Sequence, residues 1–144
     1  VTRMADLANH QLQPDRIVAQ LEEVASVIAA EIPTHRERWN QWPEGWSEEI
    51  GRMRAFGLQR TEAVLGHFAQ RFGLFSRSSV RLQAGEGGAI QVNRLLVKGT
   101  WSGEYWDGLS LTLTAVPAPG YRFAEWTGSQ SSDERTLAVR PEDG

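Results

Sequence analysis

The sequence contains no cysteine, and this absence excludes several kinds of site. Disulfide bonds, thiolate nucleophiles and cysteine-ligated zinc all require the missing side chain. No apolar run approaches the roughly 20 residues that a membrane-spanning helix needs, and the N-terminus lacks the apolar segment of a signal peptide. Secretion is not excluded, because Val1 is not a natural start and we expect the chain to be a piece of a longer protein with its targeting signals elsewhere.

Neither sign of charge is in large excess. The 144 residues include 15 basic and 18 acidic side chains, which gives a net charge of −3. Up to Phe75 there are 8 basic and 10 acidic residues, and beyond it 7 and 8. Neither half therefore offers the basic surface that nucleic acid requires, and we expect no nucleic-acid partner.

Helical periodicity dominates the first half of the chain, and strand alternation dominates the second. The length suits one compact unit or two small ones. The change of period near Phe75 favours two: a helical region over residues 1–75 and an antiparallel β module over residues 76–144. We predict an α+β fold in which three to four helices are followed by four to five strands.

The β pattern is clearest between Leu109 and Gly128. Aliphatic residues alternate there with hydroxyl-bearing ones, which predicts a strand with one buried face. Pro117 and Gly120 predict a turn after this strand. The residues from Tyr121 onward then predict a second strand that pairs back on the first. Two aromatic side chains of that second strand are expected in the core: Phe123 and Trp126.

The string LTLTAVPAPGYRFAEWTG resembles the divergent bacterial surface repeat of the internalin-B-repeat type. The pattern of that repeat is a strand, Pro and Gly, an aromatic residue, and a closing Trp-x-Gly. The resemblance covers about the last third of the chain. It implies a β module of a bacterial surface protein, and hence an extracellular or cell-surface location, but it implies no activity.

Proline and capping residues predict where the helices begin and end. Pro14 opens a long amphipathic helix, and Pro33 disfavours helical geometry at the preceding residue, so that helix should end or kink there. A short helix then follows. Ser47 and Thr61 are predicted N-caps of two further helices, and Gly73 is predicted to end the last one.

Three helical strings in succession resemble the helical end of the CotH (spore coat protein H) kinase family: EIPTHRERW, WSEEIxxMRAFxxxR and VLxxFAQRFGL. Members resemble atypical protein kinases, are often exported, and often carry surface-type β modules after the kinase region. The resemblance implies that residues 1–75 end a kinase lobe, and that the parent kinase would use ATP with Mg or Mn.

The motifs of phosphoryl transfer are missing from this chain. Its single lysine, Lys98, lies in the β half, and no glycine-rich loop precedes a helix. The resemblance implies that the catalytic motifs lie upstream of the matched region. We therefore expect the chain itself to be non-catalytic and to bind no cofactor.

The densest polar cluster on the helices surrounds His35. A catalytic interpretation makes His35 a general base beside Glu31, one helical turn earlier. The alternative, which we favour, is that arginines form ion pairs and stack on tryptophans where these helices meet the upstream kinase lobe. The predicted inter-domain contact residues are His35, Arg36, Trp39, Trp42, Trp46 and Arg60.

The segment TWSGEYWDG carries the most notable aromatic residues of the β half. Exposed rings on a β module can form a platform for sugar rings or peptides, with an acidic residue supplying polar contacts. The candidate platform consists of Trp101, Tyr105, Trp106 and Asp107. The alternative, which we favour, is structural: the rings cover an open edge of a small sheet.

Three functions follow from these patterns. The leading one is a non-catalytic spacer or docking segment, whose partners would be the upstream kinase lobe of the same polypeptide and a cell-surface protein or glycan. The second is a glycan- or protein-binding β module, and the third is a free-standing enzyme that uses His35. The large apolar residues of the helices further predict that the isolated chain either forms a homodimer or packs its helices against its own sheet.

Overall fold

A computed structural model describes residues 1–39 and 45–141. Within these ranges the chain forms four helices and six antiparallel strands, which confirms the predicted α+β class; the sequence had predicted four to five strands. The helices are α1 (Thr2–Ala8), α2 (Pro14–Ala29), α3 (Ile32–Trp39) and α4 (Trp46–Phe72). The strands are β1 (Arg77–Gln83), β2 (Gly88–Val92), β3 (Leu95–Val97), β4 (Thr100–Trp106), β5 (Leu111–Pro117) and β6 (Thr136–Val139).

The strands form two antiparallel sheets. One contains β1 and β4, and the other has the order β3-β2-β5-β6. The two central strands pair from Gly88↔Pro117 to Val92↔Leu113. Leu111, Leu113 and Ala115 are buried, as the alternation of aliphatic and hydroxyl-bearing residues predicted. This face of β5 supplies much of the core beneath the four-stranded sheet.

The segment that follows β5 is not a strand, so the predicted hairpin is wrong. Trp126 makes only an isolated bridge to Ser132, and the free edge of β5 is taken by β6 instead. Arg135 fixes this choice, because its carbonyl accepts a hydrogen bond from Ala115 N at 3.0 Å and its Nε donates to Ala115 O at 2.9 Å. Phe123, predicted in the core with Trp126, is half-buried, and so is Trp126.

The helix boundaries agree with most of the sequence signals. α2 begins at Pro14 and ends before Pro33, and Gly73, with a φ of 66°, ends α4. Thr61 does not start a new helix, however, because α4 runs through it without interruption. The Thr61 hydroxyl donates to the carbonyl of Leu12 rather than capping its own helix. With its polar group satisfied elsewhere, a buried threonine is compatible with a helix interior.

The chain divides into two compact units. The β unit consists of Val1–His10 and the chain from Phe68 onward, and the helical unit is Gln11–His67. The first helix and the last residues of α4 thus belong with the strands. The predicted domain bounds, 1–75 and 76–144, refer to resemblances between sequences and stay a prediction.

Within the helical unit, α2 lies against α4. A Cβ atom at Gly57 would come within 2.9 Å of Ile17 Cγ2, so the missing side chain permits a close approach of the two helices. Arg54 Nη2 contacts Glu22 Oε1 at 2.7 Å on the exposed side of the same pair. Despite this contact, α2 contains no buried residue.

Candidate functional site

A buried polar network joins α1 to the strands of the β unit. Asp6 is only 1% exposed, and its Oδ1 accepts hydrogen bonds from Tyr105 Oη at 3.1 Å and from Asn93 Nδ2 at 3.0 Å. Asn93 Oδ1 accepts in turn from the backbone N–H of Thr112 at 3.0 Å. Burial, and next the Asp6 carboxylate, raise the pKa of Tyr105 above its usual range. The Asp6 carboxylate and the Tyr105 hydroxyl are shielded from solvent, and the network stabilises the fold.

Asn9 forms the second link between α1 and the sheet. Its Nδ2 donates to Glu104 O at 2.7 Å, and its Oδ1 accepts from Glu104 N at 2.9 Å, so the side-chain amide acts like a neighbouring strand. The approach needs Gly103, where a Cβ would come within 2.9 Å of Asn9 Cγ and 2.4 Å of the Trp101 ring. The middle of β4 is therefore covered by the first helix.

The predicted ligand platform is only partly exposed. Tyr105 and Trp106 are 1% and 2% exposed, whereas Trp101 and Asp107 are half-buried. Trp106 stacks on Phe68 with ring centroids 6.4 Å apart, while Tyr105 is held by the α1 network. Tyr105 and Trp106 are thus covered within the β unit, whereas Ser102 and Glu104 of the same strand are exposed. The rings therefore do not form one exposed surface, and ligand contact by these residues stays a prediction.

Asp107 has a separate polar environment just after β4. Hydrogen bonds from the Ser76 and Ser78 side chains hold the pKa of Asp107 below its usual range. Its backbone N–H also donates to Ser76 O at 3.1 Å. Among the residues that the structure describes, the Oδ1 atom of Asp107 is buried and has no hydrogen-bond partner. These contacts fasten the start of β1 to the end of β4.

An open cleft of about 350 Å³ lies between the start of β2, the end of β5 and the segment that follows β5. Tyr121 lines it and is 63% exposed. Its ring rests on Gly87, where a Cβ would come within 2.2 Å of Tyr121 Cδ1. Trp126 lines the same cleft, and its ring packs against Phe123 with centroids 5.4 Å apart.

The predicted inter-domain residues of the helical unit lie mostly at its surface. His35, Arg36 and Trp39 are exposed on α3 and Trp46 is half-buried, while Trp42 lies outside the described residues. Exposed Arg60 lies over the ring of Phe56, 5.4 Å from its centroid, rather than over a tryptophan. Their contact with another lobe stays a prediction.

A catalytic role for His35 gains no support from its surroundings. His35 and Glu31 are both exposed, and neither the cleft beside Tyr121 nor the one between α2 and α4 includes them. Over residues 1–39 and 45–141, no group of three or more His, Asp or Glu side chains is placed to hold a metal ion. No helix in the described part of the chain has the length and hydropathy to span a membrane.

The strands and the cleft of the β unit lie in a region that matches a known protein family. Residues 78–140 match the family model of the divergent InlB B-repeat domain. This repeat domain, as we call residues 78–140, contains β2 to β6, nearly all of β1, and the whole cleft. The match supports the predicted surface-repeat module. No curated protein and no solved structure matches the chain.

The cleft of the repeat domain was missed by sequence reasoning, although a sequence feature could have indicated it. Three aromatic residues occur within six positions after Pro119-Gly120, without the aliphatic alternation of a core strand: Tyr121, Phe123 and Trp126. Binding residues are disproportionately found on loops, so this aromatic-rich loop was a candidate ligand-contacting surface. The network around Asp6 had no such feature, because its members are far apart along the chain.

Proposed function

We propose that this chain is a non-catalytic part of an exported protein. The β unit is a spacer or docking module at a bacterial cell surface or coat, and the helical unit docks on the rest of the parent. The match of residues 78–140 to a divergent InlB B-repeat domain supports the surface role. The resemblance of residues 1–75 to the end of a CotH-like kinase supports a parent related to atypical protein kinases. On this proposal, any nucleotide chemistry belongs to the parent.

The exposed apolar face of the helical unit is the observation that carries the docking role of that unit on its parent. Val27 of α2 is 73% exposed, and Met53 and Phe56 of α4 are exposed as well. Met53 and Phe56 join Ile17 and Leu21 in lining a second cleft of about 350 Å³. Contiguous apolar surface of this kind usually marks a site of protein contact.

The partner of this face is the upstream kinase lobe of the same polypeptide. We propose this partner because the three helical strings resemble the end of such a lobe, where an apolar face would be covered. When that lobe is missing, a second copy of the chain can cover the face instead. A homodimer of the isolated chain is therefore the expected state.

Sedimentation analysis over a range of micromolar concentrations tests the docking role. The wild-type chain should associate, and Met53→Glu should be monomeric because a charge in the apolar face opposes its burial. Leu96→Glu is the matched control, since Leu96 is an exposed apolar residue on β3 outside the helical unit. A wild-type chain that stays monomeric and binds no hydrophobic dye would remove the docking role.

The non-catalytic role has its own test. Calorimetric titration of the purified chain with ATP in the presence of Mg or Mn should give no binding, because the chain lacks the lysine and carboxylate arrangement that holds nucleotide phosphates. Measurable hydrolysis of ATP by the purified chain would contradict the proposal.

A second candidate function is a glycan- or protein-binding β module. The cleft beside Tyr121 favours it, rather than the segment TWSGEYWDG, in which Tyr105 and Trp106 are buried. The two functions can coexist in one surface protein, because docking uses residues of the helical unit and ligand binding uses residues of the β unit.

A further inference from the structure

The cleft of the repeat domain presents one aromatic ring with an accessible face. Tyr121 is 63% exposed although its ring rests on the backbone of Gly87, so the glycine covers one face and leaves the other accessible. The face of an aromatic ring carries partial negative charge. It therefore attracts the partly positive C–H groups on the apolar side of a sugar ring, which makes Tyr121 suitable as a stacking residue.

Trp126 supplies a second ring whose position is fixed before any ligand binds. Its Nε1 donates to Glu134 O at 2.9 Å, which holds the indole in one orientation. Its backbone N–H and C=O exchange hydrogen bonds with Ser132 at 2.7 and 3.3 Å. A ring that is ordered in the free protein loses less conformational entropy on binding, and so contributes more to affinity.

The polar groups of the cleft favour a neutral ligand. Arg122 and Glu125 line it with opposite charges, and Gln83 and Thr127 add groups that can donate and accept hydrogen bonds. The volume of about 350 Å³ lies at the lower end of the range of about 300 to 1,000 Å³ for small-molecule sites. We propose that this cleft binds neutral carbohydrate, with Tyr121 and Trp126 as the stacking residues.

An extended peptide fits the cleft less well. Peptides that add a strand to a sheet need a run of unpaired backbone groups along a strand edge. On their outer edges, β2 is paired with β3 from Ile90 to Val92 and β5 with β6 from Leu111 to Thr114, so only short ends of these strands are unpaired beside the cleft. A peptide helix needs an apolar groove, whereas this cleft combines aromatic and charged side chains. The carbohydrate proposal rests on the second candidate function and not on the docking role, whose sedimentation test is independent of sugar binding.

Titration with neutral hexasaccharides tests the proposal. The purified chain is titrated with those of glucose, mannose, xylose and N-acetylglucosamine, and binding is followed by tryptophan fluorescence and calorimetry. At least one should bind, and Tyr121→Ala should weaken that binding by about tenfold or more. Tyr121→Phe keeps the ring and should bind within about twofold of wild type. Gly87→Ala keeps every ring but displaces that of Tyr121, and should weaken binding by about tenfold as well.

Phe75→Ala is the matched control, because Phe75 is an aromatic residue that is 98% exposed and lies outside the cleft. It should bind like wild type, and all variants should melt at the wild-type temperature. The proposal is overturned if no hexasaccharide binds at millimolar concentration, or if Tyr121→Ala binds as tightly as wild type. Binding of random peptides in place of sugars, with the same dependence on Tyr121, would assign the cleft to peptide and also overturn it.

Discussion

Replacing Asp6 by alanine tests whether α1 is a structural part of the β unit. The Asp6 carboxylate is buried and accepts hydrogen bonds from Tyr105 Oη at 3.1 Å and Asn93 Nδ2 at 3.0 Å. Alanine removes the acceptor from the buried Tyr105 hydroxyl and from the half-buried Asn93 amide. Since a buried donor left without its acceptor costs about 1 to 3 kcal/mol and the half-buried amide costs less, the free energy of unfolding of the β unit should fall by about 2 to 4 kcal/mol.

Urea unfolding followed by tryptophan fluorescence measures this change, because Trp106 is buried in the β unit and its emission should shift on exposure. Asp133→Ala removes the same side chain from an exposed position of the β unit, and should alter the free energy of unfolding by no more than about 0.5 kcal/mol. A double-mutant cycle of Asp6→Ala with Tyr105→Phe should give a coupling energy of about 0.5 to 3 kcal/mol.

Two results would refute this reasoning about the α1 network. One is an Asp6→Ala variant whose free energy of unfolding matches that of Asp133→Ala. The other is a double variant whose loss equals the sum of the single losses, because the carboxylate and the phenol would then act independently. Either result would mean that the hydrogen bond at 3.1 Å between Tyr105 and Asp6 adds nothing to stability.

Two further predictions concern a helix and a titrating group. A Cβ at Gly66 meets no atom within 4 Å, so Gly66→Ala should raise the free energy of unfolding of the helical unit by about 0.5 to 1 kcal/mol. Gly57→Ala brings a Cβ close to Ile17 and should raise it by less. Equal increases for the two variants in thermal unfolding would contradict the close approach of the helices. The raised pKa of Tyr105 means that its neutral form stabilises the fold fully below about pH 10, and that this contribution is lost as pH rises through the folded-state value. The Tyr121→Phe variant has Tyr105 as its single tyrosine, so near-ultraviolet absorbance should show no tyrosine ionisation near pH 10 while the protein stays folded. A tyrosine titration with its midpoint near pH 10 would contradict this prediction.

Elements specified by neighbouring residues could be predicted from the sequence. Pro14 and Gly73 mark the start of α2 and the end of α4, and both act through backbone geometry that needs no partner elsewhere. The alternation along β5 likewise identifies its buried face. In each of these cases a local preference and the tertiary fold point to the same structure.

Elements chosen by distant residues could not be predicted. Thr61 has the residue type of an N-cap, but the carbonyl of Leu12, 49 positions away, satisfies its hydroxyl and α4 continues. The neighbour of β5 was predicted to be the segment starting at Tyr121, whereas Arg135 joins that edge and the strand forms further along the chain. Sequence spacing carries no information on such long-range contacts.

The exposure of the aromatic residues around the candidate site also depends on long-range packing. The sequence favoured a structural role for Tyr105 and Trp106, which are buried, but it placed Tyr121 on a paired strand, whereas Tyr121 is exposed in a segment without strand structure. Tyr105 and Trp106 are covered by α1 and by the end of α4, both of which lie in the half predicted to be a separate domain. Tyr121 stays accessible because the chain leaves the sheet after Pro117. Which aromatic residues face solvent is therefore decided by packing across the chain.

The contacts of α1 link the two halves of the chain more closely than the sequence match suggests. Residues 78–140 match the repeat domain, yet the compact β unit also needs Val1–His10, and the helical unit is inserted between these two parts. Closing the chain around such an insertion costs entropy that grows only with the logarithm of its length. The hydrogen bonds of Asp6 and Asn9 act against this cost. Both chain connections of the helical unit therefore lead into one folded unit.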